Sequence, residues 1–204
     1  LPERRLKVLK GVPENMGTNP CITGDTLVYV ADGRGHVPIR ELAENGDDVA
    51  VFCLDAQGKV AVRSMRHPRL TGNDVPVFEL RLDDGSTVRV TGNHKFLLKS
   101  GEYREAKDLQ YGDSLDVVTK YEAPVGPHKR ETQDYLWLSH GGIGTNVSEH
   151  RLIASFHYNQ EVTTGLVVHH KDKNAQNNDP RNLVILTKEA HDQLHAALMV
   201  GDAN

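Results

Sequence analysis

Two cysteines in 204 residues, Cys21 and Cys53, are too few for a disulfide framework. A cytosolic, reducing setting is therefore the default expectation. Long apolar runs are missing as well. No stretch approaches the ~20 residues of a membrane span, and Leu1 to Pro20 lacks the apolar core of a secretory signal. Charge of one sign is also scarce. The formal net charge is -4 and the isoelectric point is near 6.3, so there is no general attraction to nucleic acid. What is present is 38% apolar and 25% charged residues, with a mean hydropathy of -0.50. That is the composition of a soluble globular chain with room for one large domain or two small ones.

Residues 1–20 read as a short tail with little hydrophobic pattern. From Cys21 the texture changes to short Val/Leu/Phe/Thr runs separated by turns such as Ala31-Asp32-Gly33, Asp83-Asp84-Gly85 and Lys99-Ser100-Gly101. The alternation in Val77–Leu82 and Thr87–Val90 around Asp83-Asp84-Gly85 predicts a hairpin. The whole span 21–120 reads as an all-β unit with one helical turn at Ile39–Glu44. Pro124, Gly126 and Pro127 mark a linker over 121–147. Past it the order is a helix from Ser148, with that serine as N-cap and Glu149 in the first turn, then a strand at Leu166–Val168, a polar loop at Lys171–Pro180, a strand at Leu183–Leu186 and a helix at Lys188–Met199.

Cys21 opens Cys21-Ile22-Thr23-Gly24-Asp25-Thr26-Leu27-Val28, and Thr91-Gly92-Asn93-His94 follows far downstream. A thiol at the start of a strand can attack the carbonyl before it. An imidazole can protonate the leaving nitrogen near neutral pH, and a threonine hydroxyl can orient either group. These segments, with Gly85 to Leu98 around the Thr-x-x-His kernel and Lys107-Asp108-Leu109-Gln110-Tyr111-Gly112-Asp113, resemble the inteins of the Hedgehog/intein (Hint) family. The resemblance implies that Cys21 is the nucleophile of an N–S acyl shift, assisted by Thr91 and His94, and that residues 1–20 are the end of an N-extein. Pro20 before Cys21 hinders acyl transfer. The family's final strands and His-Asn ending do not occur among these 204 residues, so splicing is not expected from this chain without a C-terminal segment. Met16-Gly17-Thr18-Asn19-Pro20-Cys21 is similar to the Asn-Pro-Cys segment of adenosylcobalamin-dependent (class II) ribonucleotide reductases.

A second constellation lies near the other end. His169-His170 closes a strand, so the two side chains point opposite ways. His191 and His195 are i and i+4 on a helix, a spacing suited to metal chelation. Val168-His169-His170-Lys171-Asp172, Asn177-Asn178-Asp179-Pro180-Arg181-Asn182-Leu183 and His191-Asp192-Gln193-Leu194-His195 together resemble the HNH nucleases with their ββα-metal fold. That resemblance implies His170 as general base, His169, His191 and His195 as ligands of a divalent ion (Mg²⁺, Mn²⁺, Zn²⁺ or Ni²⁺), Asn182 as a brace for the loop that orients His170, and Arg151 as a phosphate contact. Double-stranded DNA and a C-terminal intein segment are the implied partners, and no membrane. Residues 121–204 carry seven Lys/Arg against ten Asp/Glu, so DNA binding is expected to be weak. His150 and His157 read as helix-surface residues, Cys53 as core, and His36, His67, His128 and His140 receive no role.

The expected architecture is a mostly β, horseshoe-like Hint domain, incomplete at its C-terminus, followed by a small α+β HNH domain over 148–204. The expected function is an intein-borne homing endonuclease. Two alternatives stand beside it: a toxin whose Hint unit releases an HNH nuclease, and a decayed element whose domains fold without activity.

Overall fold

The computed structural model describes residues 4–10, 20–122, 135–140 and 146–201, with backbone alone at 4–10 and 198–201. The resemblance to a reductase at Met16–Asn19, the turn residues Pro124, Gly126 and Pro127, and His128 lie outside the described residues. The chain runs β1 (Arg4–Lys10), β2 (Leu27–Tyr29), β3 (His36–Pro38), α1 (Ile39–Asn45), β4 (Val49–Leu54), β5 (Val60–Met65), β6 (Phe78–Leu82), β7 (Thr87–Val90), β8 (Lys95–Leu97), β9 (Tyr103–Glu105) and β10 (Ser114–Leu115). It continues through β11 (Val118–Glu122), β12 (Leu136–His140), β13 (Asn146–Ser148), α2 (Glu149–His157), β14 (Leu166–His170), β15 (Leu183–Thr187) and α3 (Lys188–Gly201). It is mostly β, and among the described residues no helix is long and apolar enough to cross a membrane.

Turn chemistry sets the local pieces. β6 and β7 pair antiparallel from Phe78↔Val90 to Arg81↔Thr87. Their turn closes through Gly85 N–H to the Leu82 carbonyl at 3.1 Å and Ser86 N–H to Asp84 Oδ1 at 2.9 Å. α1 stops at Gly46, which adopts the left-handed conformation and returns its N–H to the Leu42 carbonyl, the usual glycine ending. β6 and β7 then bury Leu80, Leu82 and Val90 with Leu98, Ala106, Leu109 and Leu115 in a first core. Ile22 bridges Val90 and packs on that core, so the segment leaving Cys21 is pinned along β7.

Two sequence expectations change here. The tail is not patternless: β1 lies between β6 and β10 in a four-stranded sheet, with Leu6 opposite Leu82 and Arg4 opposite Leu115. Its partners lie far along the chain, and local periodicity does not report such pairing. The span read as a linker also contains structure. β11, β12 and β13 form an antiparallel sheet, with Tyr121 opposite Trp137 and Trp137 opposite Ser148.

The carboxy-terminal part does not hold a core of its own. α2 places Glu149, His150, Ile153 and Ala154 on one buried face, as residues one turn apart must be. Ile153, Ala154, Val162, Val168 and Leu183 share a cluster with Ala31 and Val62, and Ala50 and Phe52 pack against it. Residues from both sides of the expected boundary thus fill one interior. Gly33 comes close to the carboxy-terminal loop as well. Its φ is +94°, and a Cβ there would sit 2.8 Å from Asp179 Cα. Ser148 does stand at the α2 N-cap, but its side chain makes no capping bond.

Candidate functional site

Cys21 and Thr91 meet through the backbone of both segments. Cys21 N–H donates to Thr91 Oγ1 at 2.9 Å, and Thr91 N–H donates to the Cys21 carbonyl at 3.0 Å. Thr91 Oγ1 also donates to Asn93 Oδ1 at 2.8 Å, so its lone pairs face the Cys21 amide. Thr71 Oγ1 lies 2.9 Å from Cys21 Sγ. His94 is held in the same turn by its N–H to the Thr91 carbonyl, while its own carbonyl accepts from Ala106 N–H. Pro20, Cys21, Thr71, Thr91 and His94 line one cleft of about 850 Å³. Among the described residues His94 Nδ1 is buried with no hydrogen-bond partner. Burial also lowers the imidazole below its ordinary titration range, because desolvation penalises the cation. The ring is therefore neutral near pH 7.

The second cluster is built by β14 and α3. His169, at the end of β14, and His191 and His195, one turn apart on α3, bring ligand nitrogens within 4.8 Å of one another. The His191 and His195 Nε2 atoms are 3.2 Å apart. Burial, and then the neighbouring His191, His195 and His170, lower His169 below the usual imidazole range. The donor set fits a divalent cation. Nitrogens ~2.0–2.1 Å from one tetrahedral ion lie ~3.3 Å from each other, close to the His191–His195 separation. Three imidazoles favour Zn²⁺, Ni²⁺ or Mn²⁺ over oxygen-preferring ions.

His170 points away from this trio. Its Nε2 lies 2.9 Å from Asn178 Oδ1, and Asn178 Nδ2 donates to Glu149 Oε1 at 3.1 Å. Glu149 Oε2 accepts from Tyr29 OH at 2.6 Å and pairs with Lys120 Nζ at 3.4 Å. Asn182 does not reach His170. It ties the loop after β14: Nδ2 donates to Asp172 Oδ1 and to the Asn177 carbonyl, both at 2.8 Å, and Oδ1 accepts from Asp172 N–H at 3.1 Å.

Three further expectations are revised. The Arg151 guanidinium donates to the carbonyls of Val162 (2.7 Å), Thr163 and Leu166 (both 3.4 Å), so it anchors the α2–β14 connection rather than presenting itself to a phosphate. His150 is not a surface residue. It is 8% exposed, with its ring centroid 4.9 Å from Tyr135 and 5.3 Å from His170. Burial first, then His170 and Arg151, push it down to about 3. His140 is buried too, with Nε2 2.6 Å from Asp116 Oδ2. His157 stays on the surface and Cys53 is half-buried in β4. Sequence reasoning missed Asn178, Tyr29 and Lys120, and saw in Glu149 only a first-turn acid. The one available signal was Asn178, inside the Asn177-Asn178-Asp179 run.

A DNA gyrase of Synechocystis is 28% identical over 205 residues, covering 90% of this chain and 18% of that protein. Replicative DNA helicase DnaB of Rhodothermus marinus is 37% identical over 130 residues, covering 64% of this chain and 14% of that protein. The chain thus spans less than a fifth of the length of these relatives. A crystal structure of an Ssp DnaB mini-intein variant aligns over 64% of this chain and 82% of that one, at 20% identity and a TM-score of 0.46. The family model of the intein splicing domain matches residues 28–193, most of the chain, and this chain belongs to that family.

Proposed function

We propose that this chain is an intein that joins a self-processing site at Cys21 to a metal-dependent HNH-type nuclease acting on double-stranded DNA. The convergence of His169, His191 and His195 beside a separately held His170 carries the nuclease reading. A gyrase and a helicase each share only a small part of their length with this chain, the pattern of a passenger within unlike hosts. The Met16–Cys21 segment suggests a class II ribonucleotide reductase as the host here.

At the splice junction Cys21 Sγ attacks the Pro20 carbonyl. The S–C bond forms, the bond from that carbonyl carbon to Cys21 N breaks, and the thiol proton ends on the freed amine. Thr91 Oγ1 accepts from the scissile N–H and fixes the amide. His94 lines the same cleft and is the proton carrier for the departing nitrogen. At the second site His169, His191 and His195 would hold the divalent ion, which supplies Lewis-acid polarisation of the scissile phosphate when bound. His170 withdraws a proton from the attacking water, and Asn182 keeps the loop after β14 in register.

The test uses chain stripped with EDTA and titrated with Zn²⁺, Ni²⁺, Mn²⁺ or Mg²⁺, then incubated with a duplex carrying the uninterrupted host sequence. His170→Ala is expected to abolish cleavage and keep metal binding by calorimetry, while His191→Ala loses both. Tight metal binding with no cleavage, unchanged in His170→Ala, would identify a structural metal site instead.

A further inference from the structure

Glu149 is 4% exposed, and its carboxylate is surrounded by groups from both halves of the chain. Tyr29 comes from β2, the strand that follows the Cys21 segment. Lys120 comes from β11. Asn178 comes from the loop between β14 and β15. Burial, then Glu149 itself, raise the Tyr29 phenol above its ordinary range, so it remains a donor. Lys120 also donates to the Tyr29 hydroxyl and sits over its ring at 4.6 Å. The Tyr29 ring is stacked between His36 and Phe52, which fixes the phenol.

The donor and acceptor inventory turns this geometry into a one-way chain. A carboxylate only accepts, so the Asn178 amide must turn its NH₂ to Glu149. Its carbonyl oxygen then faces His170 and can only accept, so His170 Nε2 must carry the proton. A neutral imidazole protonated at Nε2 has its lone pair on Nδ1. We propose that Glu149, held by Tyr29 and Lys120 from the preceding strands, is a positioning residue that acts through Asn178 to fix the His170 tautomer, so that Nδ1 is the nitrogen offered to the reaction. This rests on the nuclease reading for its purpose, but the tautomer exists whether or not DNA is cut. It also makes the nuclease depend on Tyr29, which precedes Glu149 by 120 positions in the chain.

The experiment has two arms on the full chain. In the first, ring ¹⁵N chemical shifts of His170 are read in the metal-free protein. The expected result is a single tautomer with the proton on Nε2. Glu149→Gln is nearly isosteric but lets the facing amide turn either way, so a mixture of tautomers is expected. Tyr29→Phe, which keeps the stack and loses the hydroxyl, is expected to move the mixture in the same direction by less. Proton on Nδ1 in the unsubstituted chain, or an unchanged tautomer in Glu149→Gln, overturns the proposal. In the second arm, Glu149→Gln is expected to lower DNA cleavage by about 10- to 100-fold, as outer partners of metal-site residues do, with metal affinity at the His169 cluster unchanged. Equal loss of metal affinity would show a general structural role and also overturn it. If the unsubstituted chain cuts no DNA while the tautomer behaves as stated, the nuclease reading fails and the positioning chain stands.

Discussion

His150 offers the sharpest quantitative handle, because a buried imidazole held neutral makes folding compete with protonation. Its folded-state value is about 3, against about 6.5 for the exposed group. The sign follows from proton counts. Between these two values the unfolded chain binds a proton that the folded chain refuses, so stability falls as pH drops through about 6.5, and the loss ends below about 3. From about pH 7.5 to about pH 5 the loss works out at about 2 kcal/mol, growing to about 4 kcal/mol near pH 3. Desolvation is the main cause; His170 and Arg151 add smaller repulsions, so part of the figure is shared with His170. Urea unfolding of the unsubstituted chain and of His150→Phe at both pH values isolates the residue. Phenylalanine keeps the ring beside Tyr135 and removes Nδ1, which is buried without a partner among the described residues. The difference between the two proteins in acid-induced loss is expected to be about 2 kcal/mol. Identical losses would mean that His150 is accessible to protons in the folded state, and the burial argument would fall.

Other substitutions probe other parts. Gly33→Ala places a Cβ 2.8 Å from Asp179 Cα at a φ of +94°, and is expected to cost about 1–3 kcal/mol. Gly35→Ala, also at positive φ but with nothing within 4 Å, is expected to cost less, and equal melting shifts would remove the role of the contact. Leu183→Ala, at a position with 0% exposure in the shared core, should cost about 2–5 kcal/mol in chemical denaturation. A loss below about 1 kcal/mol would mean that the shared core is not well packed there. Thr91→Val removes the acceptor for Cys21 N–H and should slow dithiothreitol-induced cleavage before Cys21 at least about tenfold, with circular dichroism unchanged. A rate equal to that of the parent would sever Thr91 from the chemistry.

Much of this arrangement was visible in the order of residues, where the cause is local. The β6–β7 hairpin follows from alternation and the Asp83-Asp84-Gly85 turn. The His191–His195 pair follows from helical spacing. Cys21 and Thr91 were joined by resemblance between segments, since nothing in their spacing brings them together. What stayed hidden depends on distant partners. His150 has the pattern of an exposed helix residue until Tyr135 and His170 close over it. Arg151 reads as a free cation until three carbonyls of the α2–β14 connection claim it. Glu149 has the look of an ordinary first-turn acid, and only the tertiary fold brings Tyr29 and Lys120 to it. The same applies to β11–β13, where the sheet is formed across a span whose composition suggests a linker.

The placement of β1 bears on what happens after the peptide bond before Cys21 is broken. Arg4–Lys10 is laced into the sheet by backbone pairing with β6 on one side and β10 on the other. Cutting the chain at Cys21 removes one covalent link and none of those ladders. The severed piece should therefore remain as a noncovalent subunit of its former parent, as in a reconstituted two-fragment protein. Denaturing electrophoresis would show two chains where size exclusion shows a single species, and product release, rather than bond scission, would set how fast the tail is shed.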